Sequence, residues 1–136
     1  AIDACPAKMF KDGIIKERNV EWLTKDTKIQ DYYASSPMCG KPFTVTANRD
    51  MFKWMAFVDK TSNIKKGHLD QPIFFASGQK DPLSNYGESV NILVNKFKTI
   101  GYRRIQFKLY ENDRHEILNE TDNQKVYQDI LDFIEA

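Results

Sequence analysis

Hydrophobic and polar positions follow an alternating strand and helix pattern in the second half of this chain. Residues 72–76 form a continuous apolar run, which is typical of a strand covered on both faces of a parallel sheet. Residues 105–110 alternate between apolar and polar and predict a second strand. Helical spacing is found over residues 86–100, before Gly101, and again over residues 123–134. The order predicts two parallel neighbouring strands joined by a right-handed crossover.

The first half has a different pattern, with short amphipathic stretches that are broken by turn residues. Helical spacing covers residues 19–23 and 29–33, and a longer helix is predicted to begin at a capping Thr46. The apolar positions of that longer helix are Met51, Trp54, Met55 and Val58. The chain is therefore predicted to be an α/β protein, with a helical region over residues 1–66 and a β-α-β-α unit over residues 67–136.

Composition narrows the class of partner. The 136 residues are 41% hydrophobic and carry a net charge of +1 from 20 basic and 19 acidic residues, which are well mixed. This balance argues against nucleic acid or a membrane surface as a partner. No apolar stretch approaches the ~18 residues that span a bilayer, and no signal peptide is visible, so a cytoplasmic protein without integral membrane contact is expected.

The spacing of the cysteine and histidine residues does not indicate a metal or cofactor site. Cys5 and Cys39 belong to no CxxC motif or Cys/His cluster, and we interpret both as free thiols. His68 follows Gly67 and is interpreted as a loop residue. We therefore expect neither a metal nor an organic cofactor.

One acid and one histidine follow the two predicted strands. Asp81 comes shortly after the first strand and His115 after the second. Because both strands are parallel, both loops emerge at the same edge of the sheet and the side chains can meet. A carboxylate that orients a neutral imidazole, which in turn takes the proton of a serine, forms two thirds of a nucleophilic triad.

Other interpretations of these residues remain open. Asp81 followed by Pro82 is good turn chemistry in itself, and a histidine in a polar loop is usually only solvated. Glu116 and Glu120 could act as acids, or they could cap and neutralise the entry to the last helix.

Three segments resemble a known family. Residues 78–87, 108–120 and 126–131 resemble the carboxyl-terminal part of bacterial lysophospholipase and monoacylglycerol-lipase-like α/β hydrolases, the serine aminopeptidase S33 group. The heptad RHEILNE at residues 114–120 is the strongest of these pieces. The resemblance extends over nearly the whole chain. It implies that Asp81 is the triad acid, that His115 is the triad base and that residues 1–66 form a helical cap.

The same resemblance suggests a substrate class. A family member of this kind would cleave a carboxylic ester, and a lipid-like monoacyl ester is expected. Four aromatic residues of the cap could line the acyl pocket, although ordinary core packing is the alternative for each. They are Trp22, Phe52, Trp54 and Phe57.

The nucleophile is the point where the chain departs from the family pattern. No Gly-x-Ser-x-Gly motif occurs in the sequence, although in this family the serine precedes the acid and the base. Ser89 comes closest, but Asn91 stands where glycine is needed, and Ser89 lies inside a predicted helix. We therefore expect a carboxyl-terminal fragment of a larger serine hydrolase that is inactive alone, with the serine and oxyanion hole in a missing amino-terminal half.

Two further hypotheses remain. The chain could be a truncated, non-catalytic module that acts through partner binding or self-association, because two strands leave exposed sheet edges. It could also be a small complete enzyme whose Asp81–His115 pair activates water or an external nucleophile. The absence of an evident oxyanion hole disfavours this last hypothesis.

Overall fold

The computed structural model describes residues 20–136, so Cys5 and the first part of the predicted cap lie outside the described residues. Helices come first and are followed by alternating strands and helices, which confirms the predicted α/β class. The elements are α1 (Thr27–Ser35), α2 (Val45–Val58), α3 (Thr61–Ile64), β1 (Ile73–Gly78), α4 (Glu88–Ile100), β2 (Ile105–Tyr110) and α5 (Gln124–Glu135). A 3₁₀ turn over Ile117–Asn119 lies between β2 and α5.

The sheet has the predicted topology. In the described residues β1 and β2 form a two-stranded parallel sheet whose register runs from Ile73 opposite Ile105 to Gly78 opposite Tyr110. Consecutive side chains of β1 point to opposite faces, as the pleat requires.

A helix packs on each face of this sheet. The ring of Phe74 packs against Phe133 of α5, with centroids 5.5 Å apart. The next residue, Phe75, makes an edge contact of 5.3 Å with Phe97 of α4. The two helices therefore lie on opposite faces, and α4 is the helix that connects the two parallel strands.

The apolar spacing of residues 123–134 predicts that one stripe of the last helix faces inward, namely Val126, Tyr127, Ile130, Leu131 and Ile134. The structure covers this stripe only in part. Val126 of α5 is fully buried, but Tyr127, Leu131 and Ile134 are 43%, 45% and 72% exposed. The reason is geometric, since a sheet of two strands is narrower than the apolar face of the helix packed on it.

Two local predictions in the first half were wrong. The cap of α2 is Thr44, whose hydroxyl accepts from the backbone N–H of Ala47 at 3.1 Å, whereas Thr46 lies inside the helix. Residues 21–23 form a turn and not a helix. The carbonyls of Trp22 and Leu23 accept from the backbone N–H groups of His115 and Glu116, at 3.3 and 2.7 Å, so this distant pairing replaces helical bonds.

In the described part of the chain, no helix combines the length and the apolar character needed to cross a membrane.

Candidate active site

The ends of the two strands bring Asp81 and His115 into contact. Oδ2 of Asp81 lies 3.2 Å from Nδ1 of His115. The Asp81 side chain is 7% exposed, whereas that of His115 is 41% exposed. A buried carboxylate thus faces one ring nitrogen of a half-exposed imidazole.

Gly78, the last residue of β1, allows the two loops to approach this closely. A Cβ atom at this position would lie 2.1 Å from the carbonyl oxygen of Arg114 and 2.2 Å from that of Asp113. The N–H of Lys80 donates to the same Asp113 carbonyl at 2.9 Å. The loop that carries His115 therefore crosses directly over the end of β1, and only glycine leaves room for it.

The turn after β1 fixes the orientation of Asp81. Its second carboxylate oxygen, Oδ1, accepts from the backbone N–H of Leu83 at 2.9 Å. Its carbonyl accepts from the hydroxyl of Ser84 at 3.0 Å, and that hydroxyl accepts from the N–H of Gly87 at 2.9 Å. The turn interpretation of Asp81 and the catalytic one are therefore compatible, because one oxygen organises the turn and the other faces His115.

Electrostatics favour the charged form of the imidazole. The hydrogen bond to Asp81 raises the pKa of His115 above its ordinary value of 6.5, partial burial opposes this, and the charges of Asp81 and Glu116 add to it. In the neutral ring the proton sits on Nδ1, because the carboxylate of Asp81 can only accept. Nε2 is then the nitrogen that can accept a proton.

Trp22 is the one of the four predicted aromatic residues that contacts the pair. Its ring lies 5.2 Å from that of His115, centroid to centroid, with the planes tilted by 48°. Its carbonyl also accepts from the backbone N–H of His115. The segment around Trp22 therefore supports the loop that carries His115, residues 111–116 between β2 and the 3₁₀ turn, which we call the histidine loop.

The other three aromatic residues lie on α2. Phe52, Trp54 and Phe57 are 45%, 65% and 48% exposed, and the rings of Trp54 and Phe57 stack at 5.4 Å. An apolar cavity of about 600 Å³ lies between α2, α3 and α4. Its lining is Met55, Ala56, Val58, Asp59, Ile64, Leu93 and Phe97, so none of the predicted aromatic residues borders it. A substrate-binding role for these residues stays a prediction.

A network of ion pairs holds the buried Asp113 of the histidine loop. Asp113 is fully buried, and its Oδ1 accepts from Nζ of Lys25 at 2.6 Å. The same ammonium pairs with Asp122 at 2.5 Å, and Lys125 pairs with Asp122 at 2.6 Å. Hydrogen bonds from Lys125 and Lys25 hold the pKa of Asp122 well below its usual range. The negative charge buried under the loop is therefore compensated.

Glu120 does not cap the last helix. It is 2% exposed and accepts hydrogen bonds from residues of the histidine loop and of the segment near Trp22. Sequence reasoning missed this role, because the partners Thr24 and Lys25 are about a hundred positions away in the chain.

Metal-binding clusters are lacking in residues 20–136, where no group of three His, Cys, Asp or Glu side chains could hold an ion. Cys39 is a free thiol.

Comparison with known proteins identifies a family and a similar fold. The model of the family described as "Serine aminopeptidase, S33" matches residues 2–122. A highly thermostable carboxyl esterase from Bacillus coagulans, solved in complex with glycerol, has a similar structure, with a TM-score of 0.79 and 21% sequence identity. The match covers 97% of this chain and 50% of the esterase, so the chain spans half the length of that protein. No curated protein gives a significant match.

Proposed function

This chain belongs to the serine aminopeptidase S33 family, and we propose on that premise that it supplies the acid and the base of a serine ester hydrolase. The observation that carries the proposal is the contact between Asp81 Oδ2 and His115 Nδ1 at the carboxyl ends of two parallel strands. In open α/β sheets this edge is where ligands bind.

The chemistry assigns one role to each side chain. Nε2 of His115 takes the proton of a serine hydroxyl as the oxygen attacks the ester carbonyl, and it later returns that proton to the leaving alcohol. Asp81 holds the ring in the tautomer that leaves Nε2 free to accept, and its charge stabilises the imidazolium that forms. The raised pKa of His115 agrees with this arrangement.

The nucleophilic serine is proposed to lie in polypeptide outside these 136 residues. The hydroxyl of Ser84 is engaged in the turn that holds Asp81, and Ser89 lies within α4. The printed sequence has no Gly-x-Ser-x-Gly motif. The chain alone is then inactive, because His115 has no serine to activate.

The substrate is proposed to be a lipid-like monoacyl ester, as in lysophospholipases and monoacylglycerol lipases. The exposed aromatic and aliphatic surface of α2 supports an apolar substrate. An amide is the competing class, since the family description names an aminopeptidase. Parallel assays with p-nitrophenyl acyl esters and aminoacyl p-nitroanilides on a chain that includes the upstream sequence would separate the two classes.

Labelling with a fluorophosphonate, read by intact mass, tests the divided triad. We expect no adduct on the 136-residue chain and one adduct on a longer chain that includes the upstream sequence. Asp81→Asn and His115→Ala in the longer chain should each slow labelling strongly, whereas His68→Ala should not. A stoichiometric serine adduct on the 136-residue chain would show that the proposed division of the triad is wrong.

A non-catalytic role through self-association is the second candidate. Trp54 and Met55 of α2 and Ile134 of α5 are each more than half exposed, which favours contact with another surface. Light scattering distinguishes the outcomes, because a clean monomer of 15.9 kDa would exclude self-association as the function of this chain.

A further inference from the structure

Glu120 is a buried carboxylate that the proposed reaction does not use. Its Oε1 accepts from the backbone N–H of Arg114 at 2.6 Å, and its Oε2 accepts from the backbone N–H of Lys25 at 2.9 Å. The hydroxyl of Thr24 lies 2.9 Å from Oε2 and 2.9 Å from the carbonyl of Asn119. A hydroxyl has one proton and a carboxylate is the stronger acceptor, so Thr24 donates to Glu120.

The donors come from the two segments that meet at His115. Arg114 directly precedes His115 in the loop after β2. Thr24 and Lys25 directly follow Trp22 and Leu23, whose carbonyls accept from the backbone N–H groups of His115 and its neighbour. The side chain of Glu120 therefore bonds to both segments: to the residue before His115 in one, and in the other to residues two and three positions after Trp22, whose carbonyl accepts from His115.

We propose that Glu120 is a positioning residue that fastens the 114–116 loop to the 22–25 segment and thereby keeps Nδ1 of His115 on Asp81. The proposal deepens the proposed function and rests on it for the role of the Asp81–His115 pair. The positioning itself is a matter of geometry and is measurable without turnover.

The chemistry of the site explains why a carboxylate is needed. Both oxygens of a carboxylate accept, so donors can approach from two directions. In a glutamine of nearly the same shape, an NH₂ group would replace one oxygen and would face an N–H or O–H donor. Glu120→Gln therefore preserves volume while it removes the connection on one side, and a buried donor left without an acceptor is costly.

Proton NMR titration of the two histidine rings in the 136-residue chain tests the proposal. His68 serves as the internal reference, since the sequence holds only His68 and His115. In Glu120→Gln we expect the pKa of His115 to fall toward the ordinary 6.5, because its bond to Asp81 is loosened, while His68 is unchanged. The amide protons of His115 and Glu116 should exchange roughly tenfold faster or more.

Matched variants separate positioning from other effects. Glu111→Gln makes the same chemical change at an exposed position of the same loop and should alter neither His115 nor its amide exchange. Thr24→Val removes one of the donors with little change of shape, and it should shift the His115 pKa and exchange in the same direction by a smaller amount. It provides the test if Glu120→Gln does not fold, as judged by circular dichroism.

Two outcomes would overturn the proposal, and a third bears on the proposed function instead. If the folded variants are less stable but His115 titrates as in the wild type, Glu120 has only a structural role. If neither stability nor titration changes, the inference is wrong altogether. If Asp81→Asn leaves the His115 pKa unchanged while Glu120→Gln still accelerates amide exchange in the 114–116 loop, the Asp81–His115 pairing of the proposed function is wrong. The fastening of that loop to the 22–25 segment by Glu120 then still stands.

Discussion

Replacing Gly78 with alanine tests whether the crossing of the two loops builds the site. The new Cβ would lie 2.1 and 2.2 Å from two backbone oxygens, those of Arg114 and Asp113. Ordinary contacts are about 3.5 Å, so the loop must move by more than about 1 Å. The displaced Asp113 carbonyl would lose the N–H of Lys80, and His115, two residues later, would move with it.

The size of the effect follows from these two losses. Overpacking of this kind costs about 1–3 kcal/mol, and a buried backbone group without its partner costs about 1–3 kcal/mol more. We expect the free energy of unfolding to fall by about 2–6 kcal/mol, the sum of the two costs. With a slope of about 2 kcal/mol per molar urea, the midpoint of unfolding falls by about 2 M. Fluorescence follows the transition, since Trp22 contacts the moving histidine.

Gly101→Ala is the control for backbone strain without a clash. Gly101 has a φ of 117°, but a Cβ there would meet only Leu69, at 3.6 Å. It should cost about 1–2 kcal/mol and leave the titration of His115 unchanged. A Gly78→Ala chain that matches the wild type in both urea midpoint and His115 titration would refute the reasoning.

The remaining predictions concern single contacts. Asp81→Asn should lower the pKa of His115 toward 6.5 by NMR, because the bond to that carboxylate is the largest cause of the raised pKa. The pKa of His115 is raised in the folded state, so its pair with Asp81 stabilises the wild type fully below pH 6.5. This stabilisation is lost as the pH rises through the folded-state pKa of His115. Urea midpoints measured across that pH window should show the loss in the wild type and not in Asp81→Asn. Thr44→Ala should cost about 1 kcal/mol in urea unfolding and Thr46→Ala clearly less, and equal costs would contradict the observed cap. Tyr110→Phe should cost about 1 kcal/mol, because it removes a 2.8 Å hydrogen bond to a carboxylate of α5; an unchanged midpoint would contradict this.

Strands were the most predictable elements of this chain. The second strand lies over the predicted residues 105–110, and the first is shifted by only one or two positions from the predicted apolar run. The meeting of Asp81 and His115 followed from the parallel order alone, since neighbouring parallel strands deliver their loops to one edge. The local hydrophobic pattern and the topology of the sheet favour the same structure here, and a fold can be predicted from its sequence where the two agree.

Contacts between distant segments were not predictable. The turn at residues 21–23 has a helical pattern, but its carbonyls bond to the histidine loop more than ninety positions away. Glu120 looked like a residue at a helix entrance, and nothing local indicates that Thr24 and Lys25 donate to it. The cap of α2 was misplaced by two residues because two threonines offer the same hydroxyl, and only the extended backbone of Thr44 decides between them.

The two ring nitrogens of His115 have different partners under the proposed function: Nδ1 binds Asp81 of this chain, and Nε2 accepts a proton from a serine outside it. Nδ1 is committed to Asp81, and the backbone of the same residue is bound to Trp22. These contacts fix the tautomer and the ring position, which are the parts of base catalysis that an acid partner can supply. Nε2 is left to accept a proton, and the side chain keeps 41% of its surface open. Under the proposed function, the serine must approach from that open side, so a longer chain that contains it should bury His115 further while leaving the Asp81 contact unchanged.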